Sequence, residues 1–215
     1  MPGTVPAAPP PGFRLYVVTD RRVTGGADGL VARLVRAADG LPPGTMAVEV
    51  REKDLEAGAL LALVRRIRAA LAPRGVPVFV NDRWDVAAAA GAEGVHLPES
   101  GLDPAAVRRA WGGRIGLSTH AVAALRRAGT ADFATFGPVF ATPSKLAYGP
   151  PQGVGRLREA VAASPVPVIA IGGIDAATAP DLRGTGVAGI AVIRAVLAAD
   201  DPAQAARELL ALAGG

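Results

Sequence analysis

Cysteine is absent from this 215-residue chain. Disulfide bonds and thiolate metal sites are therefore excluded, and we expect a cytoplasmic location. Long hydrophobic runs are absent too, because no apolar segment reaches the ~18 residues that span a bilayer. Residues 1–12 lack the basic and apolar regions of a signal peptide. Since they are rich in Pro and Ala, we expect a disordered leader over 1–12 and one domain over 13–215.

Lysine, asparagine and histidine are scarce. The chain has 23 Lys and Arg residues, but its lysines, asparagine and histidines are only Lys53, Lys145, Asn81, His96 and His120. The net charge is +4, and the arginines are scattered among acidic residues without a basic stripe, so nucleic-acid binding is not expected. Because nearly every cation is Arg, each remaining Lys, Asn or His is a candidate for chemistry.

Eight short apolar, β-branched segments recur along the chain, separated by stretches of helical periodicity. The strand candidates are Leu15–Thr19, Met46–Val50, Val76–Val80, Gly94–Leu97, Ile115–Ser118, Phe133–Phe136, Val166–Ile171 and Ala188–Ile193. The helix candidates are Leu30–Ala38, Leu60–Leu71, Val86–Ala90, Pro104–Trp111, Val122–Ala128, Val154–Ala163, Ala179–Arg183, Ala195–Ala199 and Ala203–Leu212. Nearly continuous apolar strands are typical of a buried parallel sheet. Eight strand–helix units favour an α/β fold, a single (β/α)8 TIM barrel, over a doubly wound sheet.

The rare residues all fall at one end of this predicted barrel. Asn81 and His96 end the third and fourth strands, His120 follows the fifth, and the two lysines follow the second and sixth. The catalytic groups of a TIM barrel lie at the C-terminal ends of its strands. Such positions are a small fraction of the chain, so this clustering predicts an active site at that mouth.

Three cations above one barrel mouth indicate an anionic ligand. Arg51, Lys53 and Lys145 together suit a phosphate ester or a pyrophosphate. The Gly172-Gly173 turn after strand seven and the helix after strand eight offer backbone N–H groups, as in the recurrent phosphate site of this fold.

Plainer interpretations remain open for the same residues. Arg51 and Lys53 could form a solvated strand end paired with Glu52 and Asp54. A pair of glycines also makes ordinary turns.

A metal ion and an acid–base residue are further candidates. Asp82, with Glu99 or Asp103, could hold one Mg²⁺, or Asp82 could instead cap the next helix. His120 lies in a loop and is the more natural general acid or base, with helix capping or surface placement as the alternative. His96 lies inside an apolar strand, which favours a hydrogen-bonded core residue.

Taken in order, these residues resemble the thiamin phosphate synthase/TenI family. The resemblance runs from about residue 14 to the last strand, and it also implies a TIM barrel. The matching segments are Leu15-Tyr16-Val17-Val18-Thr19-Asp20, Val50-Arg51-Glu52-Lys53, Val80-Asn81-Asp82-Arg83, Gly94-Val95-His96-Leu97, Ser118-Thr119-His120, Phe136-Gly137-Pro138-Val139-Phe140, Thr142-Pro143-Ser144-Lys145 and Ile171-Gly172-Gly173-Ile174.

The resemblance implies one of two activities. Synthases join hydroxymethylpyrimidine pyrophosphate to thiazole phosphate with Mg²⁺. Pyrophosphate and its metal would be held there by Arg51, Lys53, Asn81, Asp82, Ser118 and Lys145. The thiazole phosphate would be held by Thr142, Ser144, Gly173, Ile193 and the residue after it, Arg194. TenI-type proteins aromatise a thiazole carboxylate phosphate by proton transfer without a metal, and His120 matches their acid–base residue.

Three positions depart from the synthase pattern. Synthases usually read H-x-G-Q-x-D after strand four, where the final Asp binds Mg²⁺, whereas this chain has Gly101 at the Asp position. The usual Gln of strand two is Glu49, and the usual small Ser after strand eight is Arg194. A missing carboxylate should weaken binding of Mg²⁺ and pyrophosphate.

We therefore expect a TenI-type thiazole tautomerase without a cofactor. His120 would move the proton, while the substrate phosphate is held near Gly172, Gly173 and Arg194, with Lys145 nearby. The alternative is a Mg²⁺-dependent thiamin phosphate synthase, and a second alternative is a non-catalytic thiazole- or thiamin-phosphate-binding protein. The expected partner is a phosphorylated small molecule, with no nucleic acid and no membrane, and a homo-oligomer is compatible with the sequence.

Overall fold

Eight parallel strands close into a barrel in chain order, as predicted. The computed structural model describes residues 11–39, 41–142 and 150–213. The strands are β1 Leu15–Val18, β2 Met46–Val50, β3 Val78–Asn81, β4 Gly94–Leu97, β5 Arg114–Thr119, β6 Phe133–Phe136, β7 Val168–Ile171 and β8 Gly189–Val192. Pairing of β1 with β8 closes the sheet, so no strand edge is left open.

Helical segments connect the strands on the outside of the barrel. The α-helices are α1 Ala27–Ala38, α2 Ala57–Leu71, α3 Trp84–Ala90, α4 Pro104–Ala110, α5 Gly153–Ala163, α6 Arg194–Leu197 and α7 Pro202–Ala213. Three further segments, Ala72–Arg74, Val122–Thr130 and Ala179–Leu182, are 3₁₀ helices. Two of these overlap the helices predicted over Val122–Ala128 and Ala179–Arg183. No helix among the described residues is both long and apolar enough to cross a membrane.

The lower half of the barrel interior is filled by aromatic rings. Phe13, Tyr16, Phe79 and Phe133 pack against one another with ring centroids 5.3–5.8 Å apart, mostly edge to face. The guanidinium of Arg114 lies 5.4 Å from the Phe13 centroid and 5.5 Å from that of Phe79. Edge-to-face and cation–π geometries are the favourable ones for these groups, so this floor is a solid plug.

Two strand glycines make room for the plug. A Cβ added at Gly94 would lie 2.2 Å from the Phe79 ring. One added at Gly116 would lie 2.5 Å from both the His96 Nδ1 and the Phe133 ring. The rings of Phe79 and Phe133 therefore fit only because the facing residue on the neighbouring strand is a glycine.

The expected leader lies mostly outside the described residues. Pro11, which falls within its predicted bounds, is buried, and its carbonyl oxygen accepts a hydrogen bond from the Arg114 guanidinium. At least this part of the segment belongs to the barrel floor.

Candidate active site

Polar side chains occupy the upper half of the barrel interior. Side chains alternate between the two faces of a strand, so residues two positions beyond the aromatic floor also point inward. They are Glu49, Asn81, His96, Ser118 and Thr135, from five consecutive strands β2 to β6. The sequence therefore changes the interior from apolar to polar within one strand repeat.

His96 is the centre of this polar layer. Its Nδ1 lies 3.3 Å from the Tyr16 hydroxyl, and its Nε2 lies 3.0 Å from the Ser118 Oγ and 3.4 Å from the Thr135 Oγ1. Burial lowers the pKa of His96, so the ring is neutral near pH 7. Burial also raises the pKa of Tyr16, which stays a phenol and shares a hydrogen bond with Nδ1. Both ring nitrogens of His96 therefore have hydroxyl partners inside the barrel, as expected of a hydrogen-bonded core residue.

Glu49 is a buried carboxylate beside this histidine. Its Oε1 accepts a hydrogen bond of 2.9 Å from the Asn81 Nδ2, and its Oε2 lies 3.9 Å from the His96 Nδ1. The Asn81 Nδ2 also donates to the His96 backbone carbonyl at 3.4 Å. These contacts tie the ends of β2, β3 and β4 together below the mouth.

Arg51 and Lys53 follow β2 as exposed side chains on either side of the buried Glu52. The Arg51 N–H donates to the Thr19 Oγ1 at 2.9 Å, which fixes the backbone there. Glu52 pairs at 2.8 Å with Arg21 of the loop after β1. The alternative in which Arg51 and Lys53 pair with the neighbouring acids is therefore wrong, because those acids contact other arginines.

Asp54 completes the anchor of this loop. Arg21 makes a two-pronged contact with Asp54 at 2.7 Å for each oxygen, and Arg22 adds a third bond at 3.0 Å. Hydrogen bonds from these arginines hold the pKa of Asp54 well below its usual range, and Asp54 and Glu52 raise the pKa of Arg21. The acids therefore neutralise the anchoring arginines, while Arg51 and Lys53 stay exposed and are not paired with either acid.

Asp82 adopts a backbone conformation that non-glycine residues rarely take. Its φ is 64°, and its N–H donates to the His96 carbonyl at 2.9 Å. The next helix, α3, has Arg83 at its N-cap and no side-chain cap, so the prediction that Asp82 caps it is wrong. The chain must turn within one residue of β3, which leaves Asp82 in the turn and its carboxylate exposed at the mouth.

The other carboxylates considered for a metal have different contacts. The Glu99 Oε2 accepts from the His120 N–H at 2.6 Å, and the Asp103 Oδ1 caps α4 through the Ala105 N–H at 2.7 Å. Within the described residues, no group of three or more His, Asp and Glu side chains is placed to hold a metal ion. Asp82 alone fits the usual way Mg²⁺ binds, through one or two carboxylates together with substrate phosphate oxygens.

Gly101, where the second carboxylate is expected, is constrained by its own loop. Its N–H donates to the Pro98 carbonyl at 2.9 Å, and a Cβ placed on it would lie 2.9 Å from the Pro98 ring. Pro98 and Gly101 are therefore coupled, and a larger residue at 101 requires a change at 98.

His120 lies beyond β5 and is exposed at the mouth. Its Nδ1 lies 2.7 Å from the Gly137 carbonyl oxygen, so Nδ1 carries the proton and Nε2 presents a lone pair. Glu99 holds the His120 backbone, and Arg127 holds the Glu99 carbonyl at 2.5 Å. The nearby 3₁₀ helix has Ala121 at its N-cap, so His120 does not cap it.

The glycine pair after β7 is required by close packing. Gly172 and Gly173 have φ of 100° and 66°, and a Cβ on either would lie within 2.6 Å of Pro138 or Ala141 atoms. The Gly172 carbonyl accepts from the Phe140 N–H at 3.0 Å. The loops after β6 and β7 are therefore held against each other.

The remaining predicted ligand residues are only partly described. Ile193 and Arg194 lie at the start of α6, where Arg194 is exposed. Thr142 is the last described residue of its loop, and Ser144 and Lys145 lie outside the described residues.

Sequence reasoning missed two contributors to the site. Tyr16 lies within an apolar strand, and only its inward register identifies it as the partner of His96. Arg21 is one of many arginines, and no pattern in the sequence distinguishes it as the partner of Glu52 and Asp54.

Comparisons with known proteins agree over nearly the whole chain. The family model described as thiamine monophosphate synthase matches residues 15–196. A Geobacter sulfurreducens protein provisionally named a thiamine-phosphate synthase is 47% identical over 204 residues, 93% of this chain and 94% of that protein. The thiamine-phosphate synthase of Albidiferax ferrireducens is 39% identical over 92% of this chain and 90% of its own. The solved thiamine phosphate pyrophosphorylase of Pyrococcus furiosus superposes with a TM-score of 0.83 at 30% identity, covering 94% of this chain and 96% of that chain.

Proposed function

Because the chain belongs to the thiamine monophosphate synthase/TenI family, we propose that it is a thiamin-phosphate synthase. It would join hydroxymethylpyrimidine pyrophosphate to thiazole phosphate with loss of pyrophosphate. The names of its relatives support this activity, which was the alternative to the tautomerase expected from the sequence. Both activities require a thiamin-biosynthesis barrel with an anion site.

The observation that carries the proposal is the open pair of cations after β2. Arg51 and Lys53 are exposed, and the Glu52–Arg21 pair anchors the backbone between them. A second anion site is expected across the mouth, near Gly173 and Arg194. Two anion sites suit two phosphorylated substrates, whereas a tautomerase acts on one.

Mg²⁺ would neutralise charge on the leaving pyrophosphate, and Asp82 is the residue that would hold it, together with pyrophosphate oxygens. The side chains of Arg51 and Lys53 would bind and orient that pyrophosphate. The aromatic floor and the neutral His96 layer would exclude water from below the reacting atoms.

The test is release of pyrophosphate by the purified protein given both substrates and MgCl2. We expect release that depends on both substrates and on Mg²⁺. The Arg51→Gln variant should reduce kcat/KM about 100-fold, the loss of about 2.7 kcal/mol from one charge-assisted contact in the transition state. Arg156→Gln, on the outer surface, is the matched control. No release above background by the wild-type protein would exclude the synthase.

A second candidate, the tautomerase, is supported by His120. The Gly137 carbonyl holds its Nδ1–H and leaves Nε2 as a base at the mouth. If the chain aromatises the thiazole carboxylate phosphate, His120→Ala should abolish turnover with little change in affinity for the phosphate, and unchanged turnover would exclude this role. The same preparation tested for both reactions also identifies a non-catalytic binding protein, which would bind saturably and perform neither.

A further inference from the structure

Asn81 has two polar ends, and only one of them can face the ligand. An amide side chain offers two N–H donors at nitrogen and two lone pairs at oxygen, and the orientation is set by its neighbours. The resemblance implies that Asn81 helps to hold pyrophosphate and its metal, and ionised pyrophosphate has only acceptor oxygens. A direct contact with pyrophosphate requires the NH₂ end to point to the mouth.

Both neighbours of the Asn81 amide on the barrel side are acceptors. The Glu49 carboxylate oxygen lies 2.9 Å from Nδ2, and the His96 backbone carbonyl oxygen lies 3.4 Å from it. A carbonyl oxygen never donates, and the reversed amide would place Oδ1 against two oxygens. The nitrogen end of the amide is therefore turned toward these two acceptors in the barrel wall.

The other end of the Asn81 amide is its oxygen, Oδ1. No residue in the described part of the chain donates to it, and it is absent from the buried unpaired atoms found there. Asn81 is half-buried at the top of β3, while Glu49 is only 3% exposed. The amide oxygen therefore reaches solvent at the mouth.

We propose that Glu49 is a positioning residue that turns the Asn81 amide so that its Oδ1, an acceptor, faces the ligand. Asn81 then meets a hydrogen-bond donor, either an amino group of the ligand or the hydration shell of a bound cation. It does not donate to an ionised phosphate oxygen. A glutamine at position 49 could present either end of its own amide, so it would leave Asn81 free to turn, whereas the carboxylate does not. The inference deepens the proposed function, and its first measurement is made without substrates, so the two can fail separately.

The composition of the chain makes the test direct. Asn81 is the sole asparagine, so protein made with asparagine labelled at the side-chain amide with ¹⁵N and ¹³C gives one NH₂ pair and one carbonyl carbon. In the wild-type protein we expect both protons to exchange with solvent at least about tenfold more slowly than in the unfolded chain. Glu49→Gln should speed exchange about tenfold, while the exposed Glu159→Gln should leave it unchanged. Exchange at the unfolded rate in the wild-type protein would overturn the proposal whether or not either variant folds.

A second set of measurements, with added ligands, distinguishes an amino group of the ligand from the hydration shell of a cation as the donor to Oδ1. Inorganic pyrophosphate alone should leave the exchange of both amide protons unchanged, and protection of a proton by pyrophosphate would contradict the inference. A shift of the carbonyl carbon with MgCl2 alone indicates the cation shell, and a shift with free hydroxymethylpyrimidine indicates its amino group. If the chemical shift of the carbonyl carbon changes with none of the probes, added singly or together, Oδ1 meets no donor and the proposal is overturned.

Discussion

The lower and upper halves of the barrel interior are built by the same strands and have opposite chemistry. In β3 the inward residues are Phe79 and Asn81, and in β6 they are Phe133 and Thr135. In each strand the aromatic ring and the hydrogen-bonding group are two residues apart, which is about 6.6 Å along the strand. The lower half is held by shape and the upper half by donors and acceptors, so they should respond to different perturbations.

Tyr16 joins the two halves. Its ring packs against Phe13, Phe79 and Phe133, and its hydroxyl contacts His96. An aromatic side chain with one polar atom suits this boundary, because the ring stays dry while the hydroxyl finds a partner.

The largest effect is expected in the lower half. Phe133→Ala should destabilise the protein by about 4 kcal/mol, since it removes a fully buried ring that packs against the rings of Phe13, Tyr16 and Phe79 and faces Gly116. The free energy of unfolding in urea is the measurement. Leu102→Ala, at a residue 50% exposed, should change it by less than about 0.5 kcal/mol. A similar loss in both variants would mean that the aromatic floor is not specifically packed.

An intermediate effect is expected at the rim of the upper half. Gly101→Asp alone should not tighten Mg²⁺ binding, because its Cβ would lie 2.9 Å from the Pro98 ring. Gly101→Asp combined with Pro98→Gly should tighten it about tenfold in the presence of inorganic pyrophosphate, the scale of one added charge-assisted contact. Titration calorimetry measures the affinity. An equal gain in the single variant would show that Pro98 does not restrict this loop.

The smallest effect is a pH dependence from His96. Burial lowers its pKa below the ordinary value of 6.5, so the unfolded chain takes up a proton before the native protein does. The stability due to the neutral ring is complete above pH 6.5 and is lost as pH falls from 6.5 towards the lowered native pKa. The urea concentration at the midpoint of unfolding should therefore decrease as the pH is lowered from 7.5 to 5.5.

His96→Gln should flatten that decrease, whereas His120→Gln should retain it. The Asp54 contribution is separate, because its pKa lies below the ordinary 3.8 and its effect begins only in more acidic solution. An unchanged slope in the His96 variant would assign the pH dependence to another group.

The fold was predictable because its signal is repeated. Eight apolar segments with helical spacers fit one architecture, and strands such as Met46–Val50 and Gly94–Leu97 were predicted to the residue. Strand ends also located the mouth, where Asn81 and the exposed Arg51 lie. The helix predicted over Val122–Ala128 is a 3₁₀ helix that continues to Thr130, and the residue pattern does not distinguish the two kinds of helix.

The contacts within the site were less predictable. Pairing of Glu52 with Arg21 joins residues 31 positions apart, and none of the 21 arginines carries a local signal for it. The sequence also suggested a cap for Asp82 on the rule that Asp favours helix starts, but the turn after β3 overrides it.

By itself, the sequence determined the strand order, the end of the barrel that carries the polar residues and the scarcity of Lys, Asn and His that makes each informative. Those properties follow from periodicity and composition, which are local. Only the tertiary structure decided that Glu49 and the His96 carbonyl meet Asn81 from the same side, and that Gly137 holds one nitrogen of His120. The direction of a hydrogen bond depends on which atoms of distant strands come within about 3 Å, and no local pattern encodes that distance.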